Sequence, residues 1–321
     1  MKRNQIFKNI SRILLSAGIL TVTLLSSCKD NSPGSIDFSK SPALVGFQYK
    51  GFNAVPVNLK VFQLPNQVKT VEITLSVASI TQSTPVTVTI ADDPAGLASY
   101  QANTDSKAIA LPTADYTIAS SSVTIPAGKQ MADLSITLAG DKIDFSQDNV
   151  IALKITSATG ATIESNLNEI ILPIVLQSVY EGEYVNNGTI NDTQVPAYDA
   201  SVYPENIDLL TVNASTVDFY DLSDNFGYGH PIDGGSSYYG SFDPEFTFDL
   251  ATGKIASVTN YYGQNSGPHV RSAALDPTGV NAAIGTPGTA GFKIEVKYIM
   301  EQAGTPRTYF DETYTYIGPA M

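Results

Sequence analysis

Two glycine-rich stretches carry side chains that could bind a ligand. One spans residues 224–240 and the other spans residues 260–271, and together they hold both histidines of the chain. Irregular segments held by a rigid scaffold are a usual place for binding sites. The candidate ligand-binding residues in them are His230, Asp233, Tyr238, Tyr239, Asn260, Tyr261, Tyr262, Gln264, His269 and Arg271.

These side-chain types are those of a carbohydrate platform. The C–H face of a sugar stacks on an aromatic ring, while amides, carboxylates and imidazoles exchange hydrogen bonds with its hydroxyls. Of the 17 tyrosines, 14 lie from Tyr180 onward, which predicts the site in the second half of the chain. The competing interpretation is that paired tyrosines alternate between core and surface. The absence of tryptophan, the larger platform, favours that alternative.

Catalytic signatures are missing from the sequence. A glycosidase needs two carboxylates facing one cleft, but Asp311 and Glu312 are neighbours on a predicted strand and point to opposite faces. Asp243 and Glu245 form a pair of a kind that any acidic β protein offers. The two histidines lack metal-ligand spacing, and no nucleophile elbow or phosphate loop is present. We therefore predict that the protein is not an enzyme and that it uses no cofactor.

Acidic residues also cluster in a loop of the first half, at Asp141, Asp144 and Asp148. Carboxylates of this kind can hold calcium, but their spacing matches no known calcium loop. Calcium binding and a solvated acidic loop both remain open. The formal net charge of −13 argues against nucleic acid as a partner, because it repels the phosphate backbone.

The N-terminus predicts export. Residues 1–27 contain a basic segment, then a short apolar run, and end in Leu25-Ser26-Ser27 before Cys28. This ending resembles the lipobox of bacterial lipoproteins, which implies that Cys28 is acylated and becomes the first mature residue. An ordinary signal peptide with a chance cysteine is the alternative. Residues 28–35 are polar and rich in Pro and Gly, as expected for a tether.

The first predicted unit, residues 36–177, is built from strands with period-two alternation. Apolar and polar residues alternate over 71–77, 86–90, 134–138 and 151–155, with turn residues between these segments. Many short strands at this spacing predict a β-sandwich. No helical period is evident in the mature chain.

The second predicted unit, residues 178–321, is also β. Segments 246–250 and 255–258 flank a turn in which Gly253 is expected at positive φ. Segments 292–298 and 309–316 form a closing pair of strands. The fold class is therefore all-β, with a sandwich followed by a second β unit that is either a barrel or a sandwich.

Two passages carry a family resemblance. Val123-Thr124-Ile125-Pro126-Ala127-Gly128-Lys129, followed by Leu134-Ser135-Ile136, resembles the N-terminal Ig-like, Calx-β-type domain of surface lipoproteins from gut Bacteroidota. That resemblance covers roughly residues 40–176. The opening Tyr180-Glu181-Gly182-Glu183-Tyr184 and the closing strands resemble the lipocalin-like C-terminal domain of the same lipoproteins. The first domain has been labelled a domain of unknown function, so the resemblance implies fold and location and no reaction.

Together these observations predict an outer-membrane lipoprotein that faces the cell exterior and binds an extracellular polysaccharide or oligosaccharide in a polysaccharide-acquisition system. Its other expected contacts are the membrane, through the lipid anchor, and a protein partner in an outer-membrane uptake complex. The alternative function is an adhesive or structural surface protein that binds a protein partner through exposed strand edges.

Overall fold

The computed structural model describes residues 43–48, 57–76, 82–199 and 202–321. The predicted signal peptide (1–27), lipidation site (Cys28) and tether (28–35) lie outside the described residues. No helix of the described residues is long and apolar enough to cross a membrane.

The first part of the chain forms two β-sheets that pack face to face. Its strands are β1 (Leu44–Phe47), β2 (Leu59–Val61), β3 (Gln67–Ser76), β4 (Val86–Asp92), β5 (Ile109–Ala110), β6 (Tyr116–Ile118), β7 (Ser122–Ile125), β8 (Met131–Leu138), β9 (Asn149–Thr159), β10 (Thr162–Ile163) and β11 (Glu169–Leu176). One sheet has the order β10-β1-β3-β8-β6, and the other has β2-β11-β9-β4-β7 with β5 added on β9. Apolar residues of both sheets form one core, so the predicted sandwich is confirmed.

One helix, α1 (Pro94–Asn103), interrupts these strands, although no helical period is evident in its sequence. Asp93 caps it by accepting a hydrogen bond from the backbone N–H of Gly96, and Pro94 occupies the first turn. Only Gly96 is buried in the helix. The helix therefore has no apolar face, and its sequence carries no helical period.

The second part of the chain forms one large sheet. Its strands are β12 (Gly182–Asp192), β13 (Glu205–Thr211), β14 (Thr216–Asp221), β17 (Pro244–Phe248), β18 (Ile255–Asn260), β19 (Arg271–Leu275), β20 (Ala282–Ile284), β21 (Lys293–Gln302) and β22 (Thr305–Gly318). The main order is β18-β17-β14-β13-β12-β22-β21-β19, with β20 also on β21. A small hairpin of β15 (Pro231–Ile232) and β16 (Ser237–Tyr238) and a 3-10 helix (Pro196–Asp199) complete this part.

This sheet curves until its two edges almost meet. The backbone N–H of Ile255 donates to the carbonyl of Asn281, and that of Ala283 donates to the carbonyl of Gly253, each at 2.8 Å. These bonds join the start of β18 to β20. The second β unit is therefore a nearly closed barrel-like sheet, which decides between the two predicted alternatives. The predicted hairpin of β17 and β18 is confirmed, with Gly253 at φ +70°.

Large side chains fill the interior of the barrel-like sheet. The largest fully buried ones are Tyr184, Tyr239, Tyr298, Tyr314, Phe219, Phe242, Phe246, Phe292 and Phe310. Their rings pack against one another, as in the Tyr298–Phe310 pair with centroids 4.5 Å apart and an interplanar angle of 7°. Ligand sites on this unit are therefore to be sought at its ends and on its outer face.

Candidate functional site

Five tyrosines lie together at one end of the barrel-like sheet, and we call them the tyrosine surface: Tyr220, Tyr228, Tyr238, Tyr261 and Tyr262. The rings of Tyr228 and Tyr261 stack in parallel, with centroids 4.3 Å apart. The ring of Tyr220 meets that of Tyr228 edge-on at 5.2 Å, and the ring of Tyr262 meets that of Tyr261 in the same way at 5.2 Å. These contacts restrain the rings of Tyr220, Tyr228, Tyr261 and Tyr262 before any ligand arrives.

Three of the predicted tyrosines are exposed on this surface. Tyr238, Tyr261 and Tyr262 keep 48%, 42% and 40% of their surface accessible. Tyr238 packs over Gly229, whose φ is +127°, and a Cβ at residue 229 would lie only 2.7 Å from Cδ2 of that ring. Glycine is therefore required at residue 229 both for its backbone conformation and for the ring above it.

The other predicted residues divide into exposed and buried groups. Asp233, Gln264 and His269 are exposed. The side-chain amide of Gln264 both donates to and accepts from the backbone of Ala273, so it extends the edge of β19. Exposure leaves Asp233 and His269 available to a ligand. In the described part of the chain, neither forms a side-chain hydrogen bond or a ring contact with the five tyrosines.

Four predicted ligand-binding residues are buried, and this corrects their assignment to an exposed platform. His230, Tyr239, Asn260 and Arg271 keep at most 7% of their surface accessible. Asn260 donates to the carbonyls of Ser241, Gly263 and Arg271, which ties the end of β18 to β19 where the sheet nearly closes. Arg271 donates to the carbonyl of Gly240 and lies over the ring of Tyr239. Apart from Nε of Arg271, which has no hydrogen-bond partner, the side-chain polar groups of these four residues bind the protein itself.

His230 belongs to a buried ionisable network inside the barrel-like sheet. Its Nδ1 lies 2.8 Å from the carbonyl of Pro231, which can only accept, so Nδ1 donates. Its Nε2 lies 2.7 Å from Oε1 of Glu312. Tyr203 donates to Oε1 of Glu312 at 2.5 Å, and Tyr314 donates to Oε2. The imidazole stacks on Phe219 and contacts the tilted ring of Phe310, and it is inaccessible to solvent.

The electrostatics of this network favour an ion pair. Burial opposes the charge on His230, but the carboxylate of Glu312 outweighs burial and raises the pKa of His230 to about 9. Burial likewise opposes ionisation of Glu312, but His230 and the hydrogen bonds to the carboxylate lower its pKa. Burial raises the pKa of Glu205 to about 8, which keeps this carboxyl group neutral at pH 7.

Glu205, His230 and Glu312 are also the residues whose atoms could converge on a metal ion, since one ligand atom from each lies within 4.8 Å of the others. A zinc ion bound at about 2.1 Å holds tetrahedral ligand atoms about 3.4 Å apart. The direct contact of 2.7 Å between Nε2 and Oε1 is shorter and is that of a hydrogen bond. The geometry fits a protonated histidine better than a metal centre.

The calcium hypothesis for the first unit finds no support in the geometry. Among the described residues, Asp141, Asp144 and Asp148 do not form a group that could hold an ion. Asp144 instead accepts hydrogen bonds from the backbone and the hydroxyl of Ser146, and these bonds lower its pKa. Asp144 therefore stabilises a turn of its own loop.

A second buried ion pair lies near the same end of the barrel-like sheet as the tyrosine surface. Nε of Arg307 lies 3.0 Å from Oδ2 of Asp192, and Tyr239 donates to the same oxygen at 2.6 Å. Burial opposes ionisation of Asp192, but the hydrogen bonds from Tyr239 and Arg307 outweigh it and lower the pKa of Asp192 to about 2. Tyr239 thus has a structural role that its exposed neighbour Tyr238 does not share.

We expect Tyr239→Phe to lower the free energy of unfolding by about 1.5–3 kcal/mol, because a hydrogen bond to a buried carboxylate is lost. Urea titration would measure the change. Tyr238→Phe is the matched control and should leave the free energy of unfolding within about 0.5 kcal/mol of its original value. Equal effects of the two substitutions would show that the hydroxyl of Tyr239 contributes nothing specific.

A cleft of about 620 Å³ lies at the opposite end of the barrel-like sheet, beside the sandwich. Its walls include Phe62 and Leu64 from the first unit and Tyr180, Leu250, Tyr316 and Pro319 from the second. Nζ of Lys60 and Oε1 of Glu181 form an ion pair of 2.6 Å that links the two units near this cleft. The sandwich therefore adjoins the end of the barrel-like sheet that is remote from the tyrosine surface.

Sequence reasoning missed Tyr220 and Tyr228 as members of the tyrosine surface, and it missed Glu205 entirely. Tyr228 lies in the glycine-rich stretch that was selected, so its composition was a usable signal. Tyr220 and Glu205 lie on strands, where only the register across the sheet shows what they contact. The prediction that Asp311 and Glu312 face opposite sides of their strand is confirmed, since Asp311 is exposed and Glu312 is buried.

Comparison with known proteins supports this fold. A family model described as an N-terminal domain matches residues 38–162, which is less than half of the chain. A crystal structure of a Bacteroides ovatus protein of unknown function matches with a TM-score of 0.53 at 15% identity, and it covers 86% of this chain and 95% of that chain. No curated protein matches the chain.

Two further solved structures are less similar. A second Bacteroides ovatus protein of unknown function has a TM-score of 0.41 at 16% identity and covers 84% of this chain and 94% of that chain. An auxiliary nutrient binding protein from Bacteroides thetaiotaomicron VPI-5482 has a TM-score of 0.36 at 14% identity, with 83% and 94% covered. The first likeness, at a TM-score of 0.53, indicates a shared all-β, two-unit fold and leaves the activity of this chain open.

Proposed function

We propose that this protein is a surface-anchored lipoprotein that binds extracellular glycans through the tyrosine surface, in a polysaccharide-acquisition system of the outer membrane. The observation that carries the proposal is the exposure of Tyr238, Tyr261 and Tyr262 at one end of a β unit, with the rings of Tyr261 and Tyr262 in contact. Exposed rings of this kind offer flat apolar faces to the C–H face of a sugar.

The position of the tyrosine surface supports the same proposal. The turn of the β17–β18 hairpin, with Gly253, lines the cleft beside the sandwich, whereas Tyr261 follows the other end of β18. The predicted lipid anchor at Cys28 precedes the sandwich in the chain. An anchor, a spacer and a distal aromatic surface in that order would present the tyrosines to large polymers outside the cell.

We expect the double substitution of Tyr261 and Tyr262 by alanine to weaken glycan binding at least about tenfold, since aromatic anchors dominate such contacts. Affinity gels and a glycan array, using the full chain in mild detergent against plant, host and microbial polysaccharides, would measure it. Tyr309→Ala is the matched control, because Tyr309 on β22 is 38% exposed and has no ring contact with the tyrosine surface.

A well-folded protein that is silent across the panel would overturn the proposal. The adhesive or structural role would then be favoured, with a protein partner bound along strand edges. Loss of folding in the double variant, seen as loss of the cooperative urea transition, would show that these tyrosines hold the fold and do not form a free binding surface.

A further inference from the structure

A row of carboxylates lies beside the tyrosine surface on the outer face of the barrel-like sheet. In β14, Val217 and Phe219 point into the core, so Asp218 and Tyr220 point outward. The register places Asp218 opposite Glu245 of β17, and Glu245 opposite Thr259 of β18.

The next row of outward-facing residues lies one step closer to the end of the sheet that is remote from the sandwich. It consists of Tyr220, Asp243 and Tyr261. The backbone N–H of Tyr261 donates to the carbonyl of Asp243 at 2.9 Å, which fixes this level of the row. The ring of Tyr228 contacts the rings of Tyr220 and Tyr261, which lie on either side of Asp243 in this row. Tyr228 therefore covers Asp243. The carboxylates of Asp218 and Glu245 thus adjoin the aromatic row directly.

None of these carboxyl groups forms an ion pair in the described parts of the chain, and the charge of His230 inside the sheet acts on Asp243 without touching it. No ion pair reaches Asp218, Asp243 or Glu245, although lysines and arginines pair with acids elsewhere. Asp218 is 5% exposed and its Oδ1 has no hydrogen-bond partner, and Asp243 is fully buried with Oδ2 equally unpartnered. Like charges opposite one another on adjacent strands destabilise a sheet, and unpartnered buried carboxyl oxygens add to that cost.

We propose that the tyrosine surface, with Asp218 and Glu245, binds a glycan that carries free amino groups, such as a glucosamine oligosaccharide. The inference rests on the proposed glycan-binding function and specifies its ligand class. An ammonium group at Glu245 would supply the missing positive charge, while the adjoining sugar ring stacks on the tyrosines. Glu245 is half-buried, so it is the member of the pair that a ligand can reach. Its Oε2 accepts a hydrogen bond from the hydroxyl of Thr259 at 3.0 Å.

The charge of the surroundings agrees with a cationic ligand. Burial and the neighbouring Glu245 raise the pKa of Asp218 to about 7. Below that pH the carboxyl group of Asp218 is protonated in the free protein, and a bound ammonium group would replace this proton as the source of positive charge. The chain as a whole carries a formal charge of −13, which attracts cations and repels acidic polysaccharides. Tyrosine faces next to carboxylates are the usual chemistry for recognising amines.

The test compares two hexasaccharides that differ only in acetylation. Calorimetric titration of the full chain in mild detergent would use the glucosamine hexamer and the N-acetylglucosamine hexamer, at a pH of about 5.5, which is about two units below the pKa of an α-amino group. We expect the amine-bearing hexamer to bind about tenfold more tightly. Asp218→Asn and, separately, Glu245→Gln keep the side-chain shapes and should bring the ratio of the two affinities close to one.

Each other outcome overturns the inference. Equal binding of the two hexamers, or binding of a neutral polymer without the glucosamine hexamer, would refute amine recognition and leave the proposed glycan-binding function standing. Spermidine binding as tightly as the glucosamine hexamer would assign the site to free polyamines. A preference that survives both substitutions would show that Asp218 and Glu245 are not responsible for it.

Discussion

Replacement of His230 by alanine is expected to lower the free energy of unfolding by about 3–5 kcal/mol, because it leaves Glu312 as an unpaired buried charge. His230 and Glu312 are both inaccessible to solvent and lie 2.7 Å apart. Urea unfolding followed by tyrosine fluorescence would measure the loss. That signal reports mainly on the second unit, which holds 14 of the 17 tyrosines.

Two controls define the origin of this effect. His269→Ala removes the other histidine, which is exposed, and should change the free energy of unfolding by less than about 0.5 kcal/mol. The double substitution of His230→Ala with Glu312→Gln also removes the unpaired carboxylate charge of Glu312. The double variant should therefore be more stable than His230→Ala alone. If His230→Ala costs less than about 1 kcal/mol, the ion pair is not a significant source of stability.

The second prediction concerns pH: the free energy of unfolding should fall by at least about 2 kcal/mol between pH 6 and pH 10. The pKa of His230 rises from 6.5 to about 9 on folding, and that of Glu205 rises from 4.5 to about 8. A group with a raised pKa contributes stability below its unfolded pKa, and that stability is lost as the pH rises through its folded pKa.

Glu312 acts in the opposite sense, since its pKa is lowered from 4.5. Its contribution is present above the unfolded pKa and is lost only as the pH falls through the lower folded pKa. The stability maximum is therefore expected near pH 5, between the acid limb of Glu312 and the alkaline limb of His230. Urea titrations at unit intervals from pH 4 to pH 10 would locate it.

Glu205→Gln removes one of the alkaline contributions. This substitution keeps the side-chain shape and should make the decline between about pH 5 and pH 8 shallower, because Glu205 is ionised there only in the unfolded chain. Asp218, whose pKa is raised to about 7, and His230 still contribute to the decline in this range. The further decline through about pH 9, which belongs to His230, should remain. A free energy of unfolding that increases from pH 6 to pH 9 would contradict the assigned charge states.

Much of the strand pattern was readable from the sequence, because alternation is a local property. Segments such as 134–138 and 292–298 lie within or overlap strands of the structure, and in both the apolar residues face a core. Helix α1 was not identified from the sequence, because the residue types at its start, Asp93 and Pro94, are also common in turns. A capping residue followed by proline indicates a helix only if the chain then packs as one.

The candidate site was predictable in its location and only partly in its members. Glycine, tyrosine and amide residues selected the two stretches, and three of the selected tyrosines are exposed at one end of the barrel-like sheet. Tyr238 and Tyr239 are adjacent and chemically identical, yet one lies on the surface and the other donates to Asp192 in the interior. Composition identifies such a pair, but it cannot assign the two roles.

The sequence alone determined the all-β class, the two-unit plan, the acidic charge and the concentration of tyrosine in the second half, because each depends on composition or on nearest neighbours along the chain. Only the tertiary structure decided that the second sheet nearly closes and that His230 meets Glu312, 82 residues away. It also decided that Asp218 faces Glu245. Such pairs are set by strand register and burial, which form only when distant segments share one interior.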